Sequence, residues 1–89
     1  SRQKIIATRE RLSLAMRRLG FMVLPSQTNF VFASSPNIGA LELVQALRQR
    51  SIIVRHFDHP RTANYVRITI GTDAEIDSLI TSLDIILNE

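Results

Sequence analysis

The sequence predicts an α+β fold: a small two-layer domain, helices on one face of a mostly antiparallel sheet, in the order helix-strand-strand-helix-strand-strand-helix. Three observations predict it. Val66, Ile68 and Ile70 alternate with Tyr65, Arg67 and Thr69, the period-2 pattern of a half-buried strand. Ile76, Leu79, Ile80, Leu83, Ile86 and Leu87 recur at the spacing of one helix face. The remaining strand-like runs come in short pairs between helices with a single apolar stripe, so helices cover one sheet face and leave the other open.

Residues 3–19 read as the first helix, with Ile5, Leu12, Ala15, Met16 and Leu19 on one side and arginines around the rest. Gly20 suits the left-handed residue that ends a helix. Phe21–Leu24 reads as a strand stopped by Pro25, which has no N–H for a ladder. Thr28–Ala33 follows as a second strand, Phe30 and Phe32 on one face, Asn29 and Val31 on the other. Joined so tightly, the two make a hairpin or one long strand broken at Pro25.

Ser34-Ser35-Pro36-Asn37 is a loop able to cap the second helix, expected over 38–50 with Ala40, Leu43, Val44 and Leu47 inward. Ser51 stands where an exit glycine is usual. Ile52–Arg55 is the third strand, extending toward Phe57, and 58–64 is a polar surface loop. After the strand that carries Arg67, Thr72-x-x-Glu75 forms a capping-box signature for the last helix.

Eighty-nine residues at 45% hydrophobic make one globular domain with a small core. Without cysteine there is neither a disulfide framework nor a thiolate metal site, which suits a reducing compartment. No apolar run approaches the roughly 20 residues of a membrane span. The start at Ser1, running directly into a helical pattern, reads as a segment of a longer protein.

Net charge is +3, unevenly spread. Arg2, Lys4, Arg9, Arg11, Arg17 and Arg18 face only Glu10 in the first helix, whereas 73–89 carries five acids and no base. Two solvated helices of opposite sign packed together account for this. A nucleic-acid face is the rival, but the strands lack the aromatic pairs of an RNA-reading sheet.

Most chemistry is excluded by what is missing. There is no cysteine nucleophile, no glycine-rich phosphate loop, and His56 and His59 have no partners that complete a metal site. Lys4, the one lysine, lies at an exposed helix start, where nothing desolvates its amine for Schiff-base work. Arg67 in mid-strand must meet solvent, a carboxylate or a ligand. It and Arg55 can present guanidinium groups over one sheet face, suited to carboxylate or phosphate. The alternative is a structural bridge to Asp58 or Glu75. Asn29 is a weaker ligand candidate, and Tyr65 shares the face of Arg67.

Gly20-Phe21, Pro25-Ser26-Gln27-Thr28-Asn29-Phe30-Val31, Ile52-Ile53-Val54-Arg55 and Val66-Arg67-Ile68-Thr69-Ile70-Gly71-Thr72 with Glu75 together resemble the C-terminal small domain of histidinol-phosphate aminotransferases, fold-type I pyridoxal-phosphate enzymes. The resemblance covers essentially all 89 residues. It implies a cytoplasmic homodimer that converts L-histidinol phosphate and 2-oxoglutarate to imidazole-acetol phosphate and L-glutamate in histidine biosynthesis. By it, Arg67 grips the substrate's carboxylate or phosphate, Arg55 is the second anion-binding arginine, and Asn29 lies near the cleft.

The resemblance also implies that pyridoxal 5'-phosphate and its lysine belong to a large domain outside this sequence. The segment alone then holds no cofactor, metal or catalytic residue and is inactive. Threonine-phosphate decarboxylase or another class I/II aminotransferase is the near alternative. A freestanding anion-binding or regulatory module is the distant one.

Overall fold

The computed structural model describes residues 1–89. Helix α1 is Arg2–Arg18, strands β1 and β2 are Met22–Val23 and Phe30–Ser34, and helix α2 is Ala40–Gln49. Strands β3 and β4 are Arg55–His56 and Val66–Thr69, and helix α3 is Asp73–Leu87. The element order is the one expected. The strands lie in the order β1-β2-β4-β3, and every pairing is antiparallel.

Register decides which side chains meet. Val31 pairs with Ile68 and Ala33 with Val66, and all four are buried beneath the helices. Leu12 and Met16 of α1, Leu43, Val44 and Leu47 of α2, and Ile76, Leu79 and Leu83 of α3 complete the core. The alternate positions point away from it: Phe32 pairs with Arg67, and Arg67 with Arg55. Met22 and Phe57, 65% and 43% exposed, belong to this uncovered face. The tight connection at Pro25 is a hairpin, since β1 runs antiparallel to β2.

Both α1 and α2 end by one device. After α1, Gly20 N–H bonds the Arg17 carbonyl and Phe21 N–H the Met16 carbonyl, each at 3.0 Å. After α2, Ser51 N–H bonds the Arg48 carbonyl and Ile52 N–H the Leu47 carbonyl, each at 2.9 Å. These are paired Schellman bonds around a left-handed residue, φ +92° at Gly20 and +64° at Ser51. Ser51 does take the place of the glycine.

Several boundaries differ from the expectation, each for a local reason. Residues 28 and 29 precede β2 because hydroxyls build a turn there. The Ser26 hydroxyl donates to the Phe30 carbonyl at 2.7 Å, and Thr28 Oγ1 accepts from Phe30 N–H at 3.2 Å. The loop 34–37 does not cap α2. Ser35 Oγ accepts instead from Asn37 N–H at 3.1 Å, and Gly39 stands at the cap without a side-chain bond.

Strand β3 is two residues long because Ile52 N–H is already bonded to the end of α2. Ile5, expected inward, is 40% exposed, while Thr8 and Ser82 are buried. Each buried hydroxyl has a partner: Thr8 donates to Asp73 at 3.2 Å, and Ser82 accepts from Arg50 Nε at 2.8 Å. No helix is long and apolar enough to cross a membrane.

Candidate anion-binding face

Strand β4 places Arg67 because alternation leaves it no other choice. With Val66 and Ile68 buried beneath the helices, its side chain leaves from the opposite surface. There its guanidinium carbon lies 4.4 Å from the Phe30 ring centroid and 4.9 Å from that of Phe57. One ring comes from β2 and the other from the residue that follows β3. Phe30 sits two positions from Phe32, the cross-strand partner of Arg67, and Phe57 two positions from Arg55, the other partner.

A guanidinium is weakly hydrated on its flat faces, so aromatic rings hold it without consuming its N–H groups. Arg67 is half-buried and its Nε is buried without a hydrogen-bond partner. Neither its terminal nitrogens nor those of Arg55 bond any acceptor in the chain. The ion pairs lie elsewhere, all of them between α1 and α3.

Cross-strand partners stand about 5 Å apart at Cα. Arg55 and Arg67 therefore form a like-charge pair, Arg55 exposed and Arg67 stacked. Such a pair is unfavourable until an anion lies between its members. The structural bridge to Glu75 is not formed. The Glu75 carboxylate accepts from Thr72 N–H at 2.8 Å while Thr72 Oγ1 accepts from Glu75 N–H at 3.1 Å, the complete capping box. Those bonds, led by the Thr72 backbone N–H, hold the Glu75 carboxyl below its ordinary value. Asp58 is exposed and makes no bridge to either arginine.

Asn29 does not join the arginines. Its carbonyl accepts from Ile70 N–H at 2.8 Å, extending the β2–β4 ladder by one bond. Its position alternates with Phe30, and it lines a recess with Arg2, Ile5 and Arg9 at the start of α1. Tyr65 is half-buried at the mouth of the loop. The histidines serve that same loop. His56 Nε2 lies 2.7 Å from the Ala63 carbonyl, and His59 Nδ1 accepts from Arg61 N–H at 3.2 Å.

Sequence reasoning missed the two phenylalanines. Their signal was present, since Phe30 shares a strand face with Phe32 and Phe57 is two residues beyond Arg55. Connecting them to Arg67 required the register of three strands. Pyridoxal phosphate does not fit the residues here. Lys4 is 69% exposed and paired with Asp73 at 3.6 Å, so nothing desolvates the amine for Schiff-base formation.

Residues 1–83 match the family model described as aminotransferase class I and II. Among curated relatives, the histidinol-phosphate aminotransferase of Microcystis aeruginosa is 52% identical over 85 residues, covering 96% of this chain and 24% of its own length. That of Gluconacetobacter diazotrophicus is 56% identical over 84 residues, covering 94% of this chain and 24% of its own. The chain thus spans about a quarter of the length of the curated relatives it matches. Among solved structures, the L-threonine-O-3-phosphate decarboxylase of Porphyromonas gingivalis superposes with a TM-score of 0.86 at 27% identity, covering 98% of this chain and 28% of that one.

Proposed function

The chain belongs to the aminotransferase class I and II family, and from that premise we propose that it is the small-domain part of a histidinol-phosphate aminotransferase. Its task there is to grip the acidic group of the substrate. Arg67 and Arg55 bind the phosphate of L-histidinol phosphate in one half-reaction and a carboxylate of 2-oxoglutarate or glutamate in the other. Asn29 lies near the cleft and is assigned no place in that pair.

The observation that carries this reading is the Arg55–Arg67 pair, opposite one another on the uncovered sheet face with no carboxylate neutralising either. Two neighbouring guanidinium groups suit a phosphate monoester or a dicarboxylate, because each binds by paired N–H donors. Identities of 52% and 56% to curated histidinol-phosphate aminotransferases favour that substrate.

Pyridoxal phosphate, held by a large domain of the same polypeptide, supplies the electron sink for amino-group transfer. The chain's own residues bind and orient, and they exclude water by closing the apolar rim of Met22 and Phe57 against that domain. The complete enzyme works as a cytoplasmic homodimer.

Replacing Arg67 by Ala in the complete enzyme removes a charge-assisted contact and leaves the substrate anion unpaired. The expected loss in kcat/KM for histidinol phosphate is roughly 2–5 kcal/mol. Steady-state kinetics measure it, and an unchanged kcat/KM refutes the assignment.

A further inference from the structure

Arg67 poses a question that its charge does not answer. A guanidinium on a flexible stem binds an anion well only if its plane is fixed beforehand, since ordering it during binding costs rotamer entropy. Hydrogen bonds to a neighbouring carboxylate usually fix that plane, and Arg67 has none. Its Nε is buried and unpartnered. What the structure places against it are two rings, Phe30 at 4.4 Å and Phe57 at 4.9 Å.

We propose that Phe57, together with Phe30, is a positioning residue for the anion site: the two rings hold the Arg67 guanidinium in a fixed plane and leave its terminal N–H groups for the ligand. This rests on the reading of Arg67 as an anion-binding arginine and adds to it the residues that set its geometry.

Three features support the assignment. The rings flank Arg67 from opposite directions along β4, because Phe30 stands toward its partner Thr69 and Phe57 continues past Arg55 toward Tyr65. Phe57 is itself anchored although 43% exposed. Its carbonyl accepts from His59 N–H at 2.9 Å and from the Thr62 hydroxyl at 3.0 Å, so the loop that follows is folded back onto it. Stacking also spares donors, whereas a structural carboxylate in the same place would bind them and compete with the ligand. The terminal nitrogens are left as the binding edge, because burial removes Nε from reach.

The test uses the 89-residue chain, inorganic phosphate as the probe at constant ionic strength, and the Arg67 Nε–H resonance as the readout. Expected for the unaltered chain is an Nε–H signal displaced from the free-arginine position by ring currents, protected from exchange, and moved by phosphate. Phe57→Leu returns that signal toward the free value and weakens phosphate binding by roughly three- to thirtyfold. Phe57→Trp, which keeps a ring, retains both, and unfolding midpoints of the two variants stay together. A Phe57→Leu chain with the same Arg67 signal and the same phosphate affinity overturns the positioning role and leaves the anion site standing. A titration in which phosphate leaves the Arg67 resonance unmoved overturns the anion site, and the positioning role with it.

Discussion

At the scale of single residues, Ser51 is the clearest departure from what its backbone prefers. It sits at φ +64° with an exposed side chain that makes no hydrogen bond, in the position Gly20 fills after α1. An L-residue there crowds its Cβ against the neighbouring carbonyl, at a cost of about 1–2 kcal/mol. Ser51→Gly removes that crowding and frees the unfolded chain as well, so the two effects oppose. The net expectation is a gain of about 0.5–1 kcal/mol, read from urea unfolding. A destabilised Ser51→Gly chain contradicts it.

Ser51 was legible in the sequence, because the missing glycine falls where a helix must end. So was the outward direction of Arg67, because alternation in one strand settles its face. Its two rings were not legible. They approach from positions 37 and 10 residues distant in sequence, and no pattern within a single element links them. Asn29 stands apart from the arginines for a related reason. Its motif neighbour Phe30 faces Arg67, and one step along a strand reverses the side.

At the scale of elements, caps explain more than propensity does. The start of α3 depends on Thr72 and Glu75, each accepting from the other's backbone N–H. Gly71 is small for this reason. A Cβ built there would stand 2.5 Å from Glu75 Oε1. Thr72→Ala should cost about 1 kcal/mol.

Gly71→Ala should cost a comparable amount by expelling the carboxylate from the Thr72 N–H. In a Glu75→Ala background that obstruction is gone, and the same Gly71→Ala change should then stabilise by about 0.4–1 kcal/mol through the unfolded chain. A double-mutant cycle measures the reversal, and additive changes contradict it. The capping box was readable as Thr-x-x-Glu. The cap of α2 was not, since Ser35 spends its hydroxyl on a local turn and leaves Gly39 at the helix start.

At the scale of the molecule, the opposed charges of the first and last helices are used internally. Arg11 bonds Asp77 at 2.7 Å and Asp73 at 3.3 Å, and Lys4 reaches Asp73 at 3.6 Å. Arg9 and Arg17 donate to the Thr28 and Val23 carbonyls. Four of the six basic side chains of α1 are thereby committed to the fold, which weakens the case for a nucleic-acid face. Asp73 is where α1 meets α3. The Thr8 hydroxyl, then the Arg11 guanidinium, hold its carboxyl below the ordinary 3.8.

A depressed carboxyl contributes stability above its unfolded value and loses that contribution as pH falls through the lower folded value. Asp73 and Glu75 are both depressed, from 3.8 and 4.5, so the contact between the helices and the cap of α3 should weaken together as pH falls below about 4.5. Asp73→Asn should lower the unfolding midpoint at pH 6 yet flatten its decline between pH 5 and pH 2. Added salt should narrow the difference at pH 6, because Asp73 is half exposed and its ion pairs are screened. Urea midpoints across that range decide the matter. A variant whose midpoint falls with acid as steeply as the unaltered chain's shows that Asp73 does not carry the α1–α3 contact.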